Sequence, residues 1–320
     1  MLCGPGMKGF EVVEGQAYFT GSTAELQKLL AAGALDECRS LVVEGKLIAL
    51  PPEIGRLTGL RELILDTDTL QSIDAAIFAC TGLVRLVVLS NQIKELPAGR
   101  WGKLAELEHL ELTTSRALRG LPEDLGEASR IGGDFDFSLQ TKLTALPGSF
   151  ARLSRVTLLR LPPGVSAPVS IAGMTGLREL RVRRVEALPE DIGALQDLRL
   201  LDASECGITR VPGSIGGARA LRSLNLGRTQ VTELPDSVCE LMALRDLDVK
   251  ESPLAALPEA IGTVPLTRIR LQNTLITRLP ASLATPAGDL RIFLPRDQRA
   301  AIEASSAEVL AALGDRYCFE

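Results

Sequence analysis

One motif returns along this chain at intervals of about 23 residues: Leu-x-x-Leu-x-Leu, then a small or polar residue, then Leu-Pro. The cleanest copy is Leu221, Leu224, Leu226, Thr229, Val231, Leu234 and Pro235, flanked by copies at Leu198 to Pro212 and Leu244 to Pro258. A unit this short cannot bury its own apolar face, so the fixed period requires neighbours stacked into a solenoid. Alternation in Leu-x-Leu is the period of a strand with one buried face. The second and third motif positions fall at Leu41/Val43, Leu63/Leu65, Leu86/Val88, Leu110/Leu112, Phe135/Phe137 and Leu159/Leu161. They continue at Leu180/Val182, Leu201/Ala203, Leu224/Leu226, Leu247/Val249 and Ile269/Leu271, with a last strand at Leu290/Ile292. This predicts about eleven parallel strands in one continuous concave sheet. The intervening Leu-Pro-x-x-Ile-Gly-x-Leu, as at Leu50 to Leu57 and Leu188 to Leu195, predicts short 3₁₀ or α turns on the convex side. Pro would fix φ at their entry and Gly would permit a tight exit.

The buried ladder position after each strand is read at Lys46, Asp68, Asn91, Ser115, Gln140, Cys206, Thr229, Ser252 and Thr274. Such side chains can bond the backbone of the turn. Regularity fails in the middle. Leu107 to Pro147 holds two lengthened repeats, Gly132-Gly133 stands where a leucine is expected, and Leu161-Pro162-Pro163-Gly164 replaces Leu-Pro. Local distortion is expected between Leu125 and Met174, with Pro162-Pro163 exposed. The organisation predicted is a cap over residues 1–37, repeats over 38–294 and a helical cap over 295–320. The first cap reads as a strand pair around Glu14-Gly15 and a helix opened by the capping box Ser22-Thr23-Ala24-Glu25. The second reads as helices with a capping box at Ser305-Ser306-Ala307-Glu308 and a stop at Gly314.

Hydrophobic residues make up 46% of the chain and aromatic ones only 3%, as a core of stacked leucines requires. A net charge of −5 gives no basic footprint for nucleic acid. No apolar run is long enough to span a bilayer. Met1 to Lys8 carries Gly4, Pro5 and Gly6 where a secretory signal needs its apolar stretch, so no Sec signal is expected. The six cysteines form no Cys-x-x-Cys pair, and Cys38 and Cys206 read as small buried hydrophobes of a chain made in a reducing compartment.

These motifs, from about Cys38 to Leu294, resemble the leucine-rich-repeat family. The resemblance implies an α/β solenoid of the leucine-rich-repeat horseshoe type, with a parallel concave sheet, a 3₁₀ or short-helix convex side and capped ends. The Leu-Pro-x-x-Ile-Gly-x-Leu form is closer to bacterial and plant intracellular repeat proteins than to the secreted, cysteine-capped kind. The ending Leu290-Arg291-Ile292-Phe293-Leu294-Pro295 with a following helix is similar to the end of the repeat region in bacterial type III effectors, including effector ubiquitin ligases. That implies a bacterial effector that binds a host protein, made in the bacterial cytoplasm and delivered by type III secretion. Two alternatives stand beside it: the substrate-recognition arm of an effector ubiquitin ligase, and a scaffold or regulator in the bacterial cytoplasm. The chain departs from the ligases in having no residues beyond Glu320 for a catalytic domain.

The single histidine, His109, lies between Glu108 and Glu111 with no serine or cysteine in an activating motif, so no catalytic residue is assigned. Gly132-Gly133-Asp134 and Leu2-Cys3-Gly4-Pro5-Gly6 lack the Lys-Ser/Thr of a phosphate loop. Cys239 and Cys318 are the more exposed thiols expected. No cofactor and no metal follow from the sequence. The concave midline reads Val42, Ile64, Val87, Glu111, Asp136, Arg160, Arg181, Asp202, Asn225, Asp248 and Arg270. The predicted partner site is protein-binding and centres on Glu111, Asp136, Arg160, Arg181 and Arg183, with Leu158 and Leu200 as apolar contacts. The apolar strands at Ile64 and Val87 are its alternative location. A second arginine column (Arg39, Arg61, Arg178, Arg199, Arg222, Arg245) fits an acidic protein surface. The reading is of a monomer with neither nucleic-acid nor membrane partners.

Overall fold

The computed structural model describes residues 10–112 and 114–320. The readings at Cys3 and at Gly4-Pro5-Gly6 lie outside the described residues. In chain order the strands are β1 (Phe10–Val13), β2 (Gln16–Ser22), β3 (Ser40–Lys46), β4 (Ala49–Leu50), β5 (Glu62–Asp66), β6 (Ser72–Ile73), β7 (Arg85–Leu89), β8 (His109–Glu111) and β9 (Gly132–Asp136). They continue as β10 (Arg155–Arg160), β11 (Glu179–Arg181), β12 (Leu200–Asp202), β13 (Ser223–Asn225), β14 (Asp246–Asp248), β15 (Arg268–Arg270), β16 (Arg291–Leu294) and β17 (Tyr317–Phe319). Three α-helices, α1 (Thr23–Ala31), α2 (Arg299–Ser305) and α3 (Ala307–Leu313), join them with short 3₁₀ segments. Two compact units result, one ending at Val156 and the other spanning Thr157–Glu320.

In the first unit β1 and β2 pair antiparallel through Glu14 (φ 49°) and Gly15 (φ 82°), a turn whose left-handed backbone Gly adopts freely. From β2 onward the pairs β2–β3, β3–β5, β5–β7 and β7–β8 are parallel. Ala17 and Phe19 sit in register with Leu41 and Val43, so the sheet's first parallel strand precedes the first recognisable repeat. Ser22 caps α1: its Oγ accepts from Glu25 N–H, and Glu25 Oε2 accepts from Ser22 N–H at 2.8 Å.

The predicted continuous sheet is corrected at β8. The ladder stops between β8 and β9, where Gly132 N–H still reaches the Glu108 carbonyl at 3.0 Å. Gly133, the second residue of β9, has φ 88°, a left-handed backbone of the kind that marks a bulge. Gln140 compensates, its buried amide donating to the Leu112 carbonyl at 2.8 Å. Phe135, Phe137 and Phe150 fill the enlarged repeat, with Phe135 5.4 Å from Phe150 by ring centroids.

In the second unit the parallel pairing runs from β10 in chain order to β17. The strand leucines Leu159, Leu180, Leu201, Leu224 and Leu247 are in register and fully buried. The last strand begins two residues later than the sequence pattern predicts. Ile269 pairs with Ile292, so the inward pair is Ile292/Leu294, not Leu290/Ile292. β17 then adds one more parallel strand, which no repeat motif announces. The second capping box does not form. Ser306 Oγ accepts from Leu279 N–H at 2.8 Å and is spent on tying α3 to the repeats.

The ladder readings hold from Ser115 onward, where Ser115, Gln140, Cys206, Thr229, Ser252 and Thr274 are buried. They fail earlier: Asp68 and Asn91 are exposed and bond each other, while Thr67 and Ser90 are buried instead and donate to the Gly45 and Leu70 carbonyls. Strand length explains the shift. β5 and β7 continue past the second inward leucine, so strict alternation turns the next residue but one inward. In the second unit the strands end sooner, and a left-handed residue (Arg184, Glu205, Arg228, Glu251 or Asn273) brings the following residue inward.

Candidate functional site

Each concave face is a set of columns fixed by strand register. On the first unit, Ile64 lies beside Val87, and Val87 beside Glu111. Val87 is only 3% exposed, which corrects its assignment as a partner contact: it belongs to the floor of the face. Ile64 is half-buried and open to solvent. Arg85 reaches Glu62 at 3.1 Å and Glu111 at 3.8 Å, and Glu62 also accepts the Ser40 hydroxyl at 2.8 Å. Asp136 is half-buried, with Oδ1 accepting from Ser138 N–H at 2.9 Å, so it organises its own turn.

The broken ladder leaves a depression of about 480 Å³ lined by Arg85, His109, Glu111, Gly132, Gly133 and Asp134. Among the described residues no serine or cysteine lines it. Among the described residues no group of His, Cys, Asp and Glu is placed to hold a metal ion. Burial pushes the Cys80 thiol up to about 11 and raises Cys38 and Cys206, which suppresses thiolate chemistry. Cys239 and the exposed Cys318 are also raised, first by burial and then by neighbouring carboxylates.

On the second unit, Arg160 and Arg181 are register neighbours, as are Arg181 and Asp202. Leu158 and Leu200 flank Glu179 in the parallel column and are half-buried. Arg181 pairs with Glu179 at 3.3 Å. Arg183 is committed within the fold: it bonds Asp202 at 3.1 Å and the Ser204 hydroxyl. Asp202 and Asp248 are nearly buried midline acids, each accepting a backbone N–H two residues on, from Ser204 and Lys250. Arg270 neutralises Asp248 at 3.1 Å. The sequence signal for this structural use of Asp202, Asn225 and Asp248 is Asx followed by a small or polar residue two positions later, a turn pattern. Pro162 is buried and only Pro163 exposed, correcting the expected Pro-Pro surface.

Outside the midline, Arg178, Arg199 and Arg222 form a ridge. Arg199 N–H donates to the Arg178 carbonyl and Arg222 N–H to the Arg199 carbonyl, both at 2.8 Å. All three side chains are exposed and have no ion-pair partner among the described residues.

No family model matches the chain. A curated relative, TMV resistance protein N of Nicotiana glutinosa, is 28% identical over 149 residues, which is 44% of this chain. The chain spans 13% of that protein's length. Among solved structures, a leucine-rich-repeat protein of Leptospira interrogans matches with a TM-score of 0.59 and 22% identity, over 91% of this chain and 80% of that one. A TDR receptor matches at 0.54 and 18% identity, over 88% and 61%. The functional domain of InlJ from Listeria monocytogenes matches at 0.50 and 20% identity, over 78% and 51%. The fold is that of leucine-rich-repeat proteins.

Proposed function

We propose that this chain is a non-catalytic protein-recognition module that holds a partner on its concave sheet faces as a monomer. One observation carries the reading: solvent-facing side chains stand in fixed register on hydrogen-bonded strands and change class from strand to strand. A rigid array of this kind preorganises contacts before a partner arrives. On the second unit the contacts are Arg160 and Arg181, with Leu158 and Leu200 as the apolar positions and Arg183 holding Asp202 in place. On the first unit they are Glu111, Asp136 and Ile64, over a floor that includes Val87.

The test uses a partner recovered on the immobilised full chain and then purified. Arg160→Glu with Arg181→Glu should slow association more than it speeds dissociation and should flatten the salt dependence, because exposed charges act mainly through steering. Thermal melting must show the variant folded. Unchanged kinetics would remove these arginines from the site. A purified chain that turns over a substrate, with loss of turnover on His109→Ala or Cys239→Ser, would overturn the non-catalytic reading.

The narrower reading is a bacterial effector delivered to a host cell. It draws on the ending in which β16 runs into Pro295 and then α2 and α3. Type III-dependent export of the tagged chain, absent from a secretion-deficient strain, is the result that would support it. Retention in both strains would leave a resident scaffold.

A further inference from the structure

The concave face of the first unit carries an apolar stripe whose borders indicate what it takes. Register puts Glu11, Tyr18, Val42, Ile64, Val87 and Glu111 in one column. Tyr18 is 43% exposed, Val42 and Ile64 are half-buried, and Val87 closes the floor. An accessible tyrosine on a rigid stripe whose middle carries no charge matches the aromatic-bearing, charge-depleted centre of an interface.

The adjoining column runs Thr20, Glu44, Asp66 and Leu89. Glu44 and Asp66 are register neighbours on parallel strands, both exposed, and neither side chain has a partner among the described residues. The other border is treated differently, since Glu62 is neutralised by Arg85 and bonded by Ser40, and Glu111 also meets Arg85. Lys46, two residues beyond Glu44 on β3, pairs with neither acid. Like charges directly opposite on neighbouring strands oppose folding. The fold therefore keeps an unneutralised acidic pair along one side of an apolar stripe.

We infer that this face docks a partner-protein segment that lays an apolar side chain on Tyr18, Val42 and Ile64 and a lysine or arginine on Glu44 and Asp66. The inference rests on the reading of the chain as a recognition module and specifies the partner's chemistry. The incoming cation relieves the repulsion between the two carboxylates, so their interaction with it is stronger than with either acid alone. The stripe supplies the desolvated centre, and the acids reject segments of negative charge.

The experiment pans random displayed peptides against the intact chain and measures the enriched peptides by fluorescence anisotropy. Enriched sequences should combine a lysine or arginine with a neighbouring apolar residue. Glu44→Gln with Asp66→Asn should weaken them roughly tenfold or more, as should Tyr18→Ala, while Arg219→Glu, at an exposed position outside every proposed contact, should leave them unchanged. The same Glu44→Gln/Asp66→Asn variant should raise the Tm of the free chain, an opposite sign that a merely structural role would not give. A lowered Tm would assign the two acids to the fold and overturn the inference. Enriched peptides that lack a cation, or that bind the variant with unchanged Kd, overturn it too while leaving recognition elsewhere on the chain intact. If panning enriches no sequence, the inference and the recognition reading fall together.

Discussion

The carboxylate of Asp191 accepts the Ser170 hydroxyl at 2.6 Å and the backbone N–H groups of Ile171 and Ala172 at 3.1 and 3.2 Å. One side chain thereby organises the turn of the preceding repeat, which lacks its own Leu-Pro. Asp124, in the same Leu-Pro-Glu-Asp context, does this for Gly99 and Trp101, both at 2.9 Å. Burial alone would raise the Asp191 carboxyl, but the bonds from Ser170, Ile171 and Ala172 outweigh it and lower it. A lowered folded pKa stabilises the protein above the ordinary carboxylate range and loses that contribution as pH falls through the folded value. Asp191→Ala should cost about 1–2 kcal/mol at neutral pH, allowing for partial exposure. The difference between wild type and variant should shrink in urea melts taken below about pH 4. A gap independent of pH would mean the carboxylate's charge is irrelevant.

The glycines of the Leu-Gly and Ile-Gly pairs on the convex side answer to space rather than to φ. None of Gly126, Gly193 and Gly262 has positive φ, yet a Cβ on each would overlap the carbonyl oxygen of Ser149, Ser214 or Ser282 in the next repeat. The same serines close the gap from the other direction by accepting the glycine N–H. Gly193→Ala should destabilise by about 1–3 kcal/mol, since overpacking must displace backbone rather than a flexible side chain. Gly213→Ala, in open space, should be nearly silent by the same thermal melt. Equal effects at both positions would refute the close-approach explanation.

The period was legible because stacking imposes it: the inward pairs from Leu41/Val43 to Ile269/Leu271 obey one alternation at intervals of 21 to 25 residues. Replacing Leu224 or Leu226 by Ala should therefore cost about 2–5 kcal/mol, and a measured loss below about 1 kcal/mol would contradict that register. What the period does not encode is how each strand ends. Asn91 looked like the ladder residue because it is an asparagine, but β7 is long enough to put Ser90 inside. β17 is invisible in the sequence because Tyr317-Cys318-Phe319 carries no repeat signal and owes its strand form to pairing with β16. The concave columns could be listed from sequence. Which of their charges are spent internally could not, because Arg183 meets Asp202 across 19 positions of sequence.

The left-handed turn residues give the last prediction. Arg184, Glu205, Arg228 and Glu251 hold φ between 54° and 59°, a region that usually favours Gly or Asn, and their charges alternate from repeat to repeat. Arg228 meets Glu251 at 3.0 Å and Glu205 at 3.6 Å, so a row of opposite charges lines the rim. Exposed pairs of this kind contribute little, whereas a side chain at positive φ costs about 1–2 kcal/mol relative to the right-handed region. Removing the side chain should therefore matter less than removing its Cβ. Arg228→Ala keeps the backbone strain and loses both pairs; Arg228→Gly loses both pairs and relieves the strain. Gly should exceed Ala by about 1 kcal/mol in urea melts, the reverse of the helix ranking, with Arg close to Gly. If Ala proves as stable as Gly at this position, the turn does not hold the left-handed conformation in solution.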